Sequence, residues 1–263
     1  MILNDAVRIV NRAQEAGITV RLLGATAVRL QAAAHADLFY RLNRLGAREK
    51  TFTDIDLAAY SKQRTNLRKL LEKELGYKVD QYSILMHGND RMILHHPEGK
   101  YSIDVFYDKL QYSHEVHFGS SPKDGRLSYD PVTISPTDLF LEKAQIHEIS
   151  EKDIKDLVTL LAACQLSHEE GRGHINRTHI GNVLAKDWGF WYDACSNLDK
   201  VVHFAQRYRD EGKLDAELLQ TILARISDLR RTIDETPRSK NWEKRSKDGA
   251  SKKWWNDVEE RHR

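Results

Sequence analysis

Apolar positions in the first half of the chain alternate between a helical and an extended period. Within residues 2–16, Ile2, Ala6, Ile9, Val10 and Ala13 fall on one side of a helix, and Gly17 supplies a stop. Residues 19–23 form a short buried strand ending at Gly24, followed by a helix over 25–36 that carries Val28 and Leu30. Residues 53–60 read as the next strand, and 66–75 as a helix closed by Gly76. Residues 82–86, 92–95 and 102–107 read as strands joined by turns at Gly88-Asn89-Asp90 and Pro97-Glu98-Gly99. Helices alternating with strands, then consecutive hairpins, predict an α+β fold: a mixed sheet with flanking helices.

The pattern changes after a stretch rich in Gly, Pro, Ser and Asp at 120–131. Ser135-Pro136-Thr137-Asp138 is a helix start, with Ser as N-cap, Pro in the first turn and Asp three residues after the cap. Ser150-Glu151-Lys152-Asp153 repeats it ahead of the stripe Ile154, Leu157, Val158 and Leu161. Residues 198–211 and 214–233 also read as helices, and Pro237 ends regular structure. The expected organisation is an α/β domain over 1–125, a helical domain over 126–236 and a basic, mobile tail over 237–263, apart from docking of Trp254-Trp255.

Composition narrows the class. The 263 residues are 40% apolar and 30% charged, with no run of about 18 apolar residues, so no membrane-spanning helix is expected. No secretory signal is legible at the start. Cys164 and Cys195 are too few for a disulfide framework or a thiolate zinc site, which fits a reducing cytoplasm. The formal net charge is only +2, but Arg238, Lys240, Lys244, Arg245, Lys247, Lys252 and Lys253 crowd one stretch against Glu243 and Asp248. Such a stretch is either a solvated end or an electrostatic contact for RNA.

The chemistry concentrates in three acidic residues. Asp54 and Asp56 in Thr53-Asp54-Ile55-Asp56-Leu57 share one face of a strand, roughly 6–7 Å apart along the backbone, while Ile55 and Leu57 point into a core. Asp104 lies in a matching run, Ser102-Ile103-Asp104-Val105-Phe106. Hard divalent ions take oxygen ligands, commonly one or two carboxylates plus substrate phosphates. Ahead of both runs, Leu22-Leu23-Gly24-Ala25-Thr26-Ala27 places a glycine between a strand and a helix N-terminus, where backbone N–H groups and the helix dipole favour a phosphate. Gly24 permits close approach, and Thr26 adds a hydroxyl. Together these point to Mg²⁺- or Mn²⁺-assisted phosphoryl or nucleotidyl transfer, with metal ligands Asp54, Asp56 and Asp104.

In this order of motifs the chain resembles the minimal nucleotidyltransferases of the DNA polymerase beta superfamily, especially the bacterial nucleotidyltransferase toxins of the AbiEii type. Gly24-Ala25-Thr26-Ala27 stands where that family has a Gly-Gly-Thr-Ala-like run, and Lys50 where a basic residue often precedes the acidic pair. Leu141-Glu142-Lys143-Ala144 resembles its helical lysine motif, and Lys152-Asp153-Ile154-Lys155-Asp156-Leu157 its closing K/R-D-x-x-D-L motif. The resemblance covers about residues 5–163. It implies a nucleotidyltransferase-like sheet domain, an NTP substrate such as ATP, and an acceptor that is a tRNA end, a protein side chain or a small molecule. A toxin-like role with an antitoxin partner is implied in the same way. It further implies that Lys143 reaches the triphosphate, that Asp156 orients Lys143, and that Gly24, Ala25, Thr26 and Lys50 meet the nucleotide, with Arg48 beside Lys50 as another phosphate contact. One departure is Ala25, which keeps its N–H but lacks the hydroxyl of the family's serine.

The alternative reading is a nucleotide- or RNA-binding module on the same fold without turnover, which Ala25 favours and the three carboxylates oppose. A purely structural helical protein accounts for the second half only. His114-Glu115-Val116-His117 lacks the i, i+4 pair of a zinc-protease helix, and His168, His174 and His179 lie in a polar loop. Neither a G-x-S-x-G elbow nor a full P-loop is present.

Overall fold

The acidic strand and the strand carrying Asp104 hydrogen-bond directly to each other, in parallel, within a five-stranded mixed sheet of a computed structural model. The structure describes residues 1–46, 51–82, 85 and 90–257. In chain order the elements are α1 (Ile2–Glu15), β1 (Val20–Leu23), α2 (Gly24–Gln31), α3 (Ala36–Arg41), β2 (Asp54–Ala59), α4 (Arg64–Lys69), β3 (Lys78–Val79), β4 (Arg91–His95) and β5 (Ser102–Tyr107). Then follow β6 (Lys109–Gln111), β7 (Glu115–His117), α5 (Pro136–Ala144), α6 (Glu151–Ala163), β8 (Gln165–Ser167), β9 (His174–Asn176), α7 (Arg177–Leu184), α8 (Trp188–Asp210), α9 (Ala216–Glu235) and α10 (Lys240–Ser246).

These elements form two compact units, neither of them continuous in sequence. One comprises Met1–Leu30, Ala47–Leu110 and Val116–Ser135; the other Gln31–Gly46, Gln111–Glu115 and Pro136–Arg263. The expected α/β and helical parts are thus both present, but residues 31–46 and 111–115 belong with the helical one.

In the first unit the strand order is β1-β2-β5-β4-β3, with only β2 and β5 parallel. Strand alternation divides the sheet into two faces. Val20, Leu22, Ile55, Leu57, Ile103, Val105, Met92 and Leu94 are all buried, and form the apolar face. α1 packs on β1 and β2, and its stripe Ala6, Ile9, Val10 and Ala13 is fully buried. The free side of β1 is covered by a parallel bridge: Leu22 N–H donates to Val132 O (2.9 Å) and Ile134 N–H to Leu22 O (2.8 Å).

The end of the acidic strand is locked separately. Tyr60 follows β2, is fully buried, and its hydroxyl accepts from Leu127 N–H (3.1 Å). A Cβ on Gly125 would fall 1.9 Å from that hydroxyl, so glycine is a packing requirement there.

Several expectations are corrected here. The strand expected at 82–86 lies largely outside the described residues, as do Gly88 and Asn89 of its turn; Tyr82 and Leu85 are helical. The Asp80 side chain accepts from Tyr82 N–H (3.0 Å), a local bond that favours a turn start over extension. The helix expected over 25–36 ends at Gln31 and resumes as α3 after a 3₁₀ turn at Ala33–His35. Pro237 does not end regular structure, since α10 follows it.

The second unit is helical, and its helices start where short polar side chains cap them. Asn176, Asp187, Asp215 and Ser239 each accept from the backbone N–H three residues on, heading α7, α8, α9 and α10. Ser150 differs: its hydroxyl donates to Asp153 Oδ2 (2.6 Å) and makes no backbone cap. The two carbonyls Ala144 O and Ile146 O, at and just beyond the C-terminal end of α5, accept from Asn197 Nδ2 of α8 (3.0 and 2.7 Å).

Gly125→Ala is expected to lower stability by about 1–3 kcal/mol through overpacking. Chemical denaturation should show that loss shrinking in a Tyr60→Phe background; an undiminished loss would rule out the hydroxyl contact as its cause.

Candidate functional site

Parallel pairing sets Asp56 directly opposite Asp104, and Asp54 opposite Ser102. Asp54, Asp56 and Asp104 therefore occupy one face of the sheet, opposite the apolar one. Asp104 is almost wholly buried, while Asp54 and Asp56 are half-buried. Antiparallel pairing of β1 sets Leu23 opposite Asp56, which delivers the next residue, Gly24, to the acidic strand. Gly24 has φ +67°, and a Cβ there would fall 2.5 Å from Asp56 Oδ2. Glycine is needed twice over, for the left-handed backbone and for the close approach. α2 begins at this residue, so the positive end of its dipole lies beside the Asp56 carboxylate.

Thr26 stands differently from expectation. It is buried, and its hydroxyl donates back to Leu23 O (3.3 Å), stabilising the turn rather than facing outward. Lys50, with Arg48, lies outside the described residues. Ala25 is the second residue of α2.

A residue passed over in the sequence engages the third carboxylate. Arg91, at the start of β4, donates to Asp104 through Nη2–Oδ2 (2.7 Å) and Nε–Oδ1 (3.3 Å). Its guanidinium also lies over the Phe106 ring, 5.1 Å from the centroid. The β4–β5 register pairs Arg91 with Phe106 and Ile93 with Asp104, so Arg91 is the diagonal neighbour of Asp104. That hairpin register is the signal that locates it. Among the described residues, no three or more His, Cys, Asp or Glu side chains are gathered to hold a metal ion. The backbone aligns the three expected ligands; the Asp104 carboxylate is turned to Arg91.

Lys143 and Asp156 lie in the second unit, in a buried ionic cluster. Lys143 Nζ is 3.0 Å from Glu142, 3.1 Å from Asp153 and 3.4 Å from Asp156. Arg44 bridges to Asp156 through Nε, 2.9 and 3.0 Å from its two oxygens. The expected Lys143–Asp156 pair is thus present, inside a larger set that includes Asp153. Burial works against the Lys143 charge, but Glu142, Asp153 and Asp156 outweigh it and hold its pKa well above the ordinary lysine value. Burial likewise opposes the Asp153 carboxylate, and Lys143, the Ser150 hydroxyl and Arg44 together hold its pKa below the ordinary range.

Neither cysteine is poised as a nucleophile. Burial pushes the Cys164 thiol up to about 12 and the Cys195 thiol up to about 11. Among the described residues, no helix is long and apolar enough to cross a membrane.

No protein-family model matches the chain, and no curated protein matches it. Among solved structures, the chain is similar to the STING-associated CdnE c-di-GMP synthase from Capnocytophaga granulosa at 11% sequence identity. The likeness spans 87% of this chain and 82% of that one, with a TM-score of 0.24.

Two outcomes are expected from these contacts. Gly24→Ala should cost about 1–3 kcal/mol. In a double-mutant cycle with Asp56→Ala, part of that loss should disappear, because Asp56 Oδ2 is the atom the new methyl meets; strict additivity would contradict the contact. Lys143→Met should destabilise by about 3–5 kcal/mol at neutral pH, since it leaves buried carboxylates uncompensated. The sign follows from the shifts. The raised lysine pKa gives stability present below the unfolded value of about 10.4, lost as pH rises through the folded one. The depressed Asp153 pKa gives stability present above about pH 4 and lost as pH falls through its folded value. Urea titrations should show a gap between wild type and variant that is widest from neutral to mildly alkaline pH and narrows as pH falls and the uncompensated carboxylates of the variant take up protons.

Proposed function

We propose that this chain is a divalent-metal-dependent nucleotidyltransferase, which moves a nucleoside monophosphate from an NTP to a hydroxyl acceptor and releases pyrophosphate. One observation carries the reading: a glycine turn at a helix N-terminus abuts Asp56, whose strand neighbour is Asp104 and whose strand also carries Asp54 on the same face. The motif order over about residues 5–163 supports the same reading.

The donor set fits a hard cation. Asp54 and Asp56 would hold Mg²⁺ or Mn²⁺, and Asp104 would join them on release from Arg91. A divalent ion there supplies charge neutralisation for the triphosphate and lowers the cost of the developing negative charge. The chain's own groups do the rest. Gly24 presents backbone unshielded by a side chain, and the Ala25 N–H and the dipole of α2 attract the phosphates. Asp104 accepts the proton of the acceptor hydroxyl as the bond to the α-phosphate forms. Contact of Lys143 with the triphosphate would require its ammonium to leave three carboxylates in a buried setting, so the reading rests on the sheet residues.

The Arg91–Asp104 fork favours a second reading. A guanidinium that neutralises the third carboxylate suits a module that binds nucleotide and does not turn it over.

Incubation with each α-labelled NTP, Mg²⁺ and a panel of acceptors (total tRNA, protein, small hydroxyl compounds) separates the two. Transfer of label, reduced at least about 100-fold in Asp56→Asn and in Asp104→Asn, is the expected result. Nucleotide binding with no transfer to any acceptor, in wild type and in Arg91→Met alike, would establish the module instead.

A further inference from the structure

Asp104 stands between two neighbours of opposite kind. On the β2 side its direct partner in the register is Asp56, whose Oδ2 lies against Gly24. On the β4 side the register sets Ile93 opposite Asp104 and Phe106 opposite Arg91, and both of these apolar side chains are buried. Arg91 closes that side. Its guanidinium donates to both Asp104 oxygens, at 2.7 and 3.3 Å, and lies 5.1 Å from the Phe106 ring centroid. Just 3% of the Asp104 side chain is accessible, against 23% of Arg91. The acid is thus the buried member of the pair, and the guanidinium is the member that touches solvent. A carboxylate so placed needs a positive partner throughout, because burial without one is costly. A guanidinium with access to solvent can leave and be replaced.

Two positive partners can serve Asp104, and they compete. Asp54 and Asp56 stand on the strand that borders β5 on the side away from Arg91. A carboxylate that gives both oxygens to a guanidinium on one side is turned away from a cation shared with Asp56 on the other. A guanidinium left beside a divalent ion is also repelled by it. Cation binding by Asp56 and Asp104 together therefore carries the cost of displacing Arg91. A phosphate offsets that cost. Guanidinium forks take phosphate oxygens in the same bidentate manner as carboxylate oxygens. A nucleotide that brings phosphates with the cation gives Arg91 a new partner as Asp104 gains its own.

We infer that Arg91 is a counter-ion switch in this site: it holds Asp104 before substrate arrives, and moves to a phosphate when the metal-bound nucleotide enters. Arg91 is a positioning residue, acting on the cation through Asp104. The exchange makes and breaks no covalent bond, and its consequence is thermodynamic coupling. The cation alone binds weakly, and cation and nucleotide strengthen each other by the same factor. The inference rests on the reading of this face as a divalent-metal nucleotide site, and adds the order in which its charges pair. On this account the Arg91–Asp104 fork is compatible with turnover, since it opens on loading.

Titration of Mn²⁺ into the full chain, followed by the paramagnetic resonance signal of the free ion, tests this without any transfer reaction. Arg91→Met should bind Mn²⁺ alone about tenfold more tightly than wild type. Arg91→Met/Asp104→Asn should bind it no more tightly than Asp104→Asn, which assigns the gain to that carboxylate. The α,β-methylene analogues of the four NTPs, titrated at saturating Mn²⁺, should shift the other way. Arg91→Met should weaken the analogue that wild type binds best by about tenfold, and Arg91→Lys should recover part of that loss. A purely structural Arg91, or a folding defect in the variant, would weaken both ligands together. Equal or weaker Mn²⁺ binding in Arg91→Met overturns the proposal, as does unchanged affinity for the analogues or no binding of any of them by wild type. Label transfer is a separate result: a chain that shows both shifts and transfers no label has the switch and lacks the activity.

Discussion

Parallel hydrogen bonding between β2 and β5 decides which carboxylates are neighbours. Side chains alternate with a period of two, so a slip of one residue would drive Asp56 into the apolar face and bring Ile55 or Leu57 out of it. Burying an unpaired carboxylate is costly, and exposing those aliphatic side chains adds to the cost. The register is therefore held by the same apolar residues that exclude the acids from the core: Ile55 and Leu57 on one strand, Ile103 and Val105 on the other. β1 adds its own constraint by pairing Leu23 with Asp56, which leaves Gly24 no room for a side chain. The turn, the acid pair and the third acid are one consequence of strand pairing.

Each unit handles buried charge in its own way. In the sheet unit the Arg91 guanidinium faces the Asp104 carboxylate through two hydrogen bonds. Arg91 remains partly exposed, with 23% of its side chain accessible, so solvent can take over its solvation if the pair opens. In the helical unit Lys143 and Arg44 face Glu142, Asp153 and Asp156, and all are closely packed. No comparable replacement is at hand there, which makes that cluster a brace between α5, α6 and the segment carrying Arg44. The contrast explains why equal-looking acids in one sequence fall to different tasks.

The C-terminal segment shows how a basic stretch acquires a direction. Indoles and caps hold one side of α10 against α8, and the lysines are thereby confined to the other. A mobile chain of the same composition would spread its charge over all orientations. Order concentrates it along one side of the helix.

Much of this was legible along the chain because it rests on local rules. Alternation in 53–57 and 102–106 identified the acidic strands and their shared polarity, Gly24 marked the turn, and the Pro136 start marked α5. Other features were not legible locally: Lys143 is buried, Thr26 bonds its own turn, and the residues after Pro237 form a helix. Arg91, Arg44 and Asp193 gave no local signal, because their partners lie 13, 112, and 46 to 79 residues away. Periodicity reports which face a residue takes, a property of its own backbone. Which charge meets which is settled by strand order and helix packing, and those follow from burying the whole apolar surface at once.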